Sequence, residues 1–150
     1  MTTAENLYKI ADEQGINIYE FKFDDIISMS APLNIAIDKS KIDNAIELID
    51  VLSHELGHCV TNSFYNKDNI LDVFEKQEHK ANMWKLKQLL PLEEYIKAIA
   101  HGITDVKFLA CEYDLRYDFA EMAAEYYNNN FDIEKLVDEY KAGLKNEDSF

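Results

Sequence analysis

The chain has 150 residues, of which 29 are acidic and 15 are Lys or Arg, and its formal net charge is −14. This acidity argues against direct nucleic-acid binding, which needs clustered cationic side chains, and is compatible with a basic protein partner. No apolar run reaches the roughly 18 residues of a membrane span, and the first residues lack the pattern of a secretion signal. We therefore expect a cytoplasmic protein in which Cys59 and Cys111 are reduced and buried. The sequence carries no indication of an oligomeric state.

The N-terminal part of the chain predicts one helix and three short strands. Residues 3–14 have helical character and are followed by Gly15, a residue type that commonly ends helices. Alternating apolar residues, rich in β-branched and aromatic types, predict strands over 16–21, 26–29 and 33–38. Because the rest of the chain has helical patterning, we predict an α+β fold in which this small sheet packs on a long helix.

That long helix is predicted to follow the third strand. Ser40 and Asp43 match a capping box, so we expect the helix to begin there. At about 100° per residue, the apolar residues that follow cluster on one side of the helix. They are Ile42, Ala45, Ile46, Ile49, Leu52, Leu56 and Val60.

The opposite side of the helix carries an H-E-x-x-H motif, made by His54, Glu55 and His58. Residues four apart stack on one helical face, so the two imidazoles can share one metal ion. Glu55 lies one step round the helix, within reach of a water at the metal without being a ligand. This is the arrangement of a zinc peptidase, with Glu55 as the general base.

A catalytic zinc site usually has a third protein ligand. Glu78, on a second predicted helix from about residue 72 to 90, is one candidate, and Ala81 lies one turn further along nearly the same face. A small residue there would allow close approach of the two helices. His79 is the chemically obvious rival and points about 100° away from Glu78. His101 is a further candidate, and spacing alone does not choose among them.

Two linked motifs resemble the ImmA/IrrE family of metallopeptidases, which are often encoded on prophages and mobile elements. They are His54-Glu55-Leu56-Gly57-His58 and Glu78-x-x-Ala81-Asn82, with the second helix running to Leu89-Leu90-Pro91 where the family often has Leu-Met-Pro. The resemblance covers roughly residues 33–128. It implies a gluzincin-like hydrolase that binds zinc through His54, His58 and Glu78. It also implies that the strand over 33–38 forms the sheet edge along which a substrate lies, although an ordinary core strand is an open alternative.

Further site residues are less well determined by the sequence. Tyr65 would lie near the face of the two histidines if the helix continued past them, so it is a weak candidate for stabilising the oxyanion. Tyr95, His101 and Tyr113 are rivals for that role. Asn82 and Asp105 are candidates for orienting the imidazoles. The list of predicted site residues is therefore His54, Glu55, His58, Tyr65 and Glu78.

The C-terminal half is predicted to be helical throughout. We expect helices over 92–101, from Thr104, from Asp114 or Leu115 to Tyr127, and from Asp132 to about 144, with a break at Asn128-Asn129-Asn130. Two of these helices resemble a helix-turn-helix DNA reader, but acidic residues on the second would be repelled by phosphate. We predict a single zincin-like metallopeptidase domain over 1–150, with a catalytic core over 1–91 and a helical extension over 92–150.

The function implied by the resemblance is cleavage of a phage or mobile-element repressor, so the expected partner is a DNA-binding protein substrate. The alternative is a non-catalytic metal-binding regulator that binds and sequesters such a repressor. The presence of Glu55 favours the enzyme, because a pure binder has no chemical need for a general base.

Overall fold

A computed structural model of the protein describes residues 2–66, 68 and 70–148, and only the backbone of residues 146–148. Over this part of the chain the fold contains three strands, a short 3-10 turn and seven α-helices, which confirms the predicted α+β class. The chain divides into two compact units, Met1–Gln88 and Leu89–Phe150. The assignment of all 150 residues to a single domain stays a prediction. None of the described helices combines the length and the apolarity needed to cross a bilayer.

The first unit begins with helix α1, Thr3–Gln14, whose Thr2 and Glu5 form a capping box. The helix ends at Gly15, which adopts a left-handed conformation with φ 69°, as predicted. Leu7 and Ala11 on its inner face are 1% and 2% exposed. Helix α1 packs against the long helix that carries the H-E-x-x-H motif.

The three strands form one sheet, with β1 at Asn17–Glu20, β2 at Ser28–Ala31 and β3 at Asn34–Ile37. The order is β1-β3-β2, so β3 is the central strand, parallel to β1 and antiparallel to β2. The expectation that the third strand forms the edge was therefore wrong, and the open edge on that side belongs to β2. A turn of only two residues joins β2 to β3, so the two strands must be neighbours. Since β1 pairs with the other side of β3, the third strand is enclosed on both sides.

Helix α2, Ala45–Thr61, carries the motif. Its N-cap is Asn44, whose side chain accepts from the Glu47 backbone N–H, while the Glu47 carboxylate accepts from the Asp43 backbone N–H. The predicted capping box at Ser40 and Asp43 was therefore wrong: Ser40 lies in the 3-10 turn Lys39–Lys41. An equivalent pair of capping residues, Asn44 and Glu47, lies four positions later, and the helix begins there.

Helix α3, Leu71–Leu89, approaches the backbone of α2 closely at one point, where Gly57 faces Ala81. A Cβ placed on Gly57 would lie 2.5 Å from the carbonyl oxygen of Ala81 and 3.0 Å from its Cα. Only glycine therefore fits at position 57, and Ala81 is fully buried, as expected for a small residue at a close helix crossing. This approach brings Glu78 within reach of the two histidines.

The second unit contains helices α4 to α7, at Leu92–Ala100, Val106–Glu112, Tyr117–Asn130 and Ile133–Asp148. The predicted break at Asn128-Asn129-Asn130 was wrong, because α6 continues to Asn130 and Phe131 is its C-cap. Two asparagines there have partners, since the Tyr95 hydroxyl donates to the Asn128 side chain and the Asn130 amide donates to the Tyr126 carbonyl.

The prediction that both cysteines are buried was wrong, because neither is fully buried. Cys111 on α5 is exposed, and Cys59 on α2 is half-buried. Burial and the nearby Glu55 carboxylate raise the pKa of the Cys59 thiol to about 11. Cys59 is therefore a protonated thiol at neutral pH, which makes it a weak nucleophile.

Candidate metal centre

Three side chains predicted as metal ligands meet in the first unit. His54 and His58 lie one turn apart on α2, and their Nε2 atoms are 3.2 Å from each other. Glu78 reaches them from α3, with Oε2 3.2 Å from His54 Nε2 and Oε1 3.0 Å from His58 Nε2. The structure thus brings together the two motif histidines and Glu78, and this group can hold a metal ion.

The two imidazoles are oriented through their other ring nitrogens. His58 Nδ1 lies 2.5 Å from the backbone carbonyl oxygen of Ser63, which can only accept, so Nδ1 carries a proton and the Nε2 of the neutral imidazole carries a lone pair. His54 Nδ1 lies 3.0 Å from the assigned side-chain oxygen of Asn82, which leads to the same tautomer. Two lone pairs and a carboxylate then face one another. Such an arrangement is stable only with a cation or an added proton between them.

The spacing of these atoms fits a metal ion. Bonds of about 2.0–2.1 Å in tetrahedral directions place neighbouring ligand atoms about 3.3 Å apart. The three separations within the group are 3.2, 3.2 and 3.0 Å. The donor set is two neutral imidazoles and one carboxylate, and each imidazole already has a partner for its second nitrogen, as ligating histidines usually do.

The pKa values of Glu78 and His58 without a metal also indicate a site that favours positive charge. Burial favours the neutral form of Glu78, but hydrogen bonds from His54 and His58, which donate when their imidazoles are protonated, outweigh it and hold the pKa of the carboxyl well below its usual range. Burial likewise opposes the charged form of His58, but the Glu78 carboxylate and the Ser63 carbonyl outweigh it and raise the pKa of the imidazole. Positive charge at this point, from a proton or a metal ion, is therefore favoured.

Glu55 lies beside the three ligands and is not one of them. Glu55 is 7% exposed, and its Oε1 accepts a hydrogen bond of 2.9 Å from the Ser28 hydroxyl on β2. A carboxylate that is buried beside a metal group and oriented by one hydrogen bond is placed to accept a proton at its second oxygen. Glu55 therefore lies next to the two histidines, as the motif predicts, and its role as a general base stays a prediction.

Tyr65 lies at the same group, although it follows the end of α2. The helix ends at Thr61, and its C-cap Asn62 adopts a left-handed conformation with φ 51° that reverses the chain, so Tyr65 returns towards the metal group from a loop. Its hydroxyl donates to Glu78, and burial together with that carboxylate raises the pKa of Tyr65 to about 12. Tyr65 is therefore a neutral donor at working pH.

The metal group lies in a cleft of about 920 Å³ that is contained in the first unit. His54, Glu55 and His58 line it together with residues from β2 and from the start of α3. The Asp38 N–H donates to the Ile27 carbonyl, so in this antiparallel pair the backbone groups of Ile27, Met29 and Ala31 point towards β3. By alternation, the backbone N–H and C=O groups of Ser28 and Ser30 point out from the open edge of β2.

Several alternatives from the sequence are not part of this group. His79 is exposed and is absent from the described cluster of metal-ligating side chains. The Tyr95 hydroxyl donates to Asn128, the Tyr113 hydroxyl to Glu94, and His101 Nδ1 lies 2.7 Å from the Lys97 carbonyl oxygen, all within the second unit. Asp105 caps α5.

Sequence reasoning missed three residues that support the centre. Ser63 supplies the carbonyl that orients His58, and Ser28 orients Glu55. Lys85 is 4% exposed and binds Asp50 at 2.6 Å, which joins α3 to α2 about one turn from Ala81. Asn62 could have indicated the position of Ser63, because asparagine after a helix often adopts the left-handed conformation that turns the chain back. Nothing local in the sequence marks the other two.

Comparisons of the chain with protein-family models, with curated proteins and with solved structures found no match. The resemblance to the ImmA/IrrE family therefore stays a prediction that rests on the two motifs.

Proposed function

We propose that the protein is a zinc-dependent endopeptidase of the ImmA/IrrE type. The observation that carries the proposal is the convergence of His54, His58 and Glu78 on one point, with Glu55 buried beside them. Two imidazoles and one carboxylate with an open fourth position are a donor set typical of catalytic zinc. A binding protein has no chemical need for the buried Glu55 carboxylate, so this residue favours an enzyme over a sequestering regulator.

Each residue of the site then has a chemical role. A zinc ion held by the three ligands would polarise the scissile carbonyl and lower the pKa of a bound water to about 7. Glu55 accepts the proton of the attacking water and delivers it to the leaving amine, while the Ser28 hydroxyl holds the other oxygen of that carboxylate. Tyr65 is a neutral donor beside Glu78 and is the candidate for stabilising the oxyanion.

The open edge of β2 supplies a place for the substrate backbone. Ser28 and Ser30 line the cleft, and their outward N–H and C=O groups can pair with an extended peptide as an added strand. Since Ser28 also contacts Glu55, a peptide paired at this edge passes beside the general base. The role of sheet edge that the resemblance implied for the third strand is thus transferred to β2.

The proposed substrate is a repressor protein from a phage or mobile element, and this part rests on the family resemblance. The net charge of −14 complements a basic DNA-binding protein and would favour its encounter with the enzyme. The same charge opposes binding of the enzyme to the DNA itself.

Incubation of the zinc-loaded protein with the repressor encoded beside its gene tests the proposal. We expect the wild-type protein to cleave the repressor, and Glu55→Gln to lose on the order of 100- to 10,000-fold in rate while keeping its metal content. Glu75→Gln, which makes the same change at an exposed position of α3, should cleave like the wild type. Intact repressor with wild type and Glu55→Gln alike, and equal biological activity of the two, would show a non-catalytic regulator instead.

A further inference from the structure

One wall of the metal cleft is apolar and aromatic. It consists of Phe64, Tyr65, Leu71 and Phe74, which we call the apolar shelf. The Tyr65 ring lies edge-on to both the His58 ring and the Phe74 ring, with centroid distances of 5.8 and 4.5 Å. Because Tyr65 also donates to Glu78, the shelf begins at the metal group itself.

The shelf is open to solvent as well as close to the metal. Leu71 is 69% exposed, and Tyr65 and Phe74 are each 40% exposed. Met29, on the β2 side of the same cleft, is 54% exposed. Large apolar side chains grouped around a cleft indicate a binding surface, because exposure of this kind is unfavourable in water.

The charges of the cleft disfavour a charged substrate side chain. No Lys or Arg is among the described residues that line it, and its acidic and imidazole groups are Glu55, His54 and His58, which the proposed chemistry already uses. A charged substrate side chain beside the metal would lose hydration without gaining an ionic partner. An apolar side chain there gains contact area with the shelf.

We infer that the cleft selects a peptide with a large apolar residue, such as Leu, Met or Phe, next to the scissile bond. This inference rests on the proposed peptidase function. A peptide paired with the edge of β2 directs alternate side chains to opposite faces, and the side chain that flanks the reacting carbonyl lies against the apolar shelf. Phe74 is then a specificity-determining residue, because its ring extends the shelf beyond Tyr65.

Binding of small hydroxamates tests the inference without turnover. Three peptidyl hydroxamates that differ only in the side chain next to the hydroxamate, isobutyl, methyl or carboxymethyl, are titrated by calorimetry into the zinc-loaded protein. We expect the isobutyl compound to bind about 10-fold more tightly than the methyl compound, since three carbons are partly buried, and the carboxymethyl compound to bind most weakly.

Two variants assign the preference to the shelf. Phe74→Ala should reduce the isobutyl-to-methyl ratio several-fold, whereas Phe108→Ala, at a 65% exposed position of α5, should leave it unchanged. Equal affinities for isobutyl and methyl, a preference for carboxymethyl, or no binding of any of the three would overturn the inference.

Cleavage separates this inference from the proposed function. Unfolded proteins are digested with wild type and with Glu55→Gln, and the cut sites are mapped by mass spectrometry. Cuts that depend on Glu55 but show no preference for apolar residues would support the peptidase function. They would overturn the inference that the apolar shelf selects the substrate side chain. An isobutyl preference in binding without any cleavage of unfolded protein or repressor would support the shelf and overturn the peptidase.

Discussion

The two units of this protein differ in what they bury. In the described residues, every buried polar or charged residue belongs to the first unit: Asp38, Ser53, Glu55, His58, Ser63 and Lys85. The buried residues of the second unit are Leu, Ala, Ile, Val, Phe and Tyr, and its buried Tyr127 donates to the Leu90 carbonyl. Both units form helices from similar amphipathic patterns, yet only one accepts the free-energy cost of buried charge.

Burial of polar groups is unfavourable unless each one has a partner, so a unit that buries six of them must position those partners accurately. In the first unit every described buried side-chain polar atom has one. The contrast shows where sequence constraints concentrate. Substitutions in the first unit should affect metal binding and stability strongly, whereas similar substitutions in the second unit should have small effects.

The largest expected effect is on metal affinity. Glu78→Ala removes one of the three proposed zinc ligands, and we expect zinc affinity to fall on the order of 1,000-fold, measured by competition with a chromophoric chelator. Glu125→Ala, at an exposed position of α6, should leave the affinity unchanged. Equal affinities for the two variants would show that Glu78 does not bind the metal.

The next effect concerns the buried ion pair of the first unit. Lys85→Met keeps most of the side-chain volume but leaves Asp50, which is 21% exposed, without its cation. We expect the free energy of unfolding to fall by about 2–3 kcal/mol in urea titrations. Arg116→Met breaks the exposed contact with Asp118 in the second unit. This variant should change the free energy of unfolding by less than about 1 kcal/mol. Similar effects of the two would remove the contrast between the units.

Orientation of the imidazole gives a smaller change in metal affinity. Asn82→Ala removes the oxygen that faces His54 Nδ1, and we expect a loss of about 10- to 100-fold in zinc affinity. Asn130→Ala, which removes an exposed amide in the second unit, serves as its control. A wild-type affinity for Asn82→Ala would mean that helix packing alone orients His54.

Replacement of glycine by alanine should change the free energy of unfolding in opposite directions in the two units. Gly57→Ala forces a Cβ to within 2.5 Å of the Ala81 carbonyl oxygen, so we expect a loss of about 1–3 kcal/mol in the free energy of unfolding. Gly143→Ala, in α7 with no atom within 4 Å of the added Cβ, should raise it by about 0.5–1 kcal/mol. A stabilising Gly57→Ala would contradict the close approach of α2 and α3.

The smallest effect is a dependence on pH. Hydrogen bonds from Ser40 and from the Phe23 N–H, together with the positive charge of Lys41, lower the pKa of Asp38 from its ordinary value of 3.8. A lowered folded-state pKa stabilises the protein above about pH 4, and this contribution is lost as the pH falls through the folded-state value. We expect the hydrogen-exchange protection factors of the amides around Asp38 to fall below about pH 4, and Asp38→Asn to be less stable at neutral pH with a weaker acid dependence. An unchanged acid profile for Asp38→Asn would refute this.

Helix positions were largely predictable from the sequence, because the 3.6-residue period is local. Helix α1 and its end at Gly15 agree with the prediction, and so does the position of the motif within a long helix. Helix starts were less predictable, since Ser40 and Asn44 both offer capping oxygens and only one set is used. The persistence of α6 to Asn130 also depended on partners such as Tyr95, which is far away in the chain.

The sequence by itself determined that His54 and His58 share one helical face with Glu55 beside them, because residue spacing along a helix fixes which side chains lie together. With the motif resemblance it also singled out Glu78. Only the tertiary structure decided that β2 rather than β3 borders the cleft, that Ser63 and Asn82 orient the imidazoles, and that Ser28 holds Glu55. These features join residues up to 28 positions apart, and their pairing depends on how strands and helices pack rather than on any local pattern.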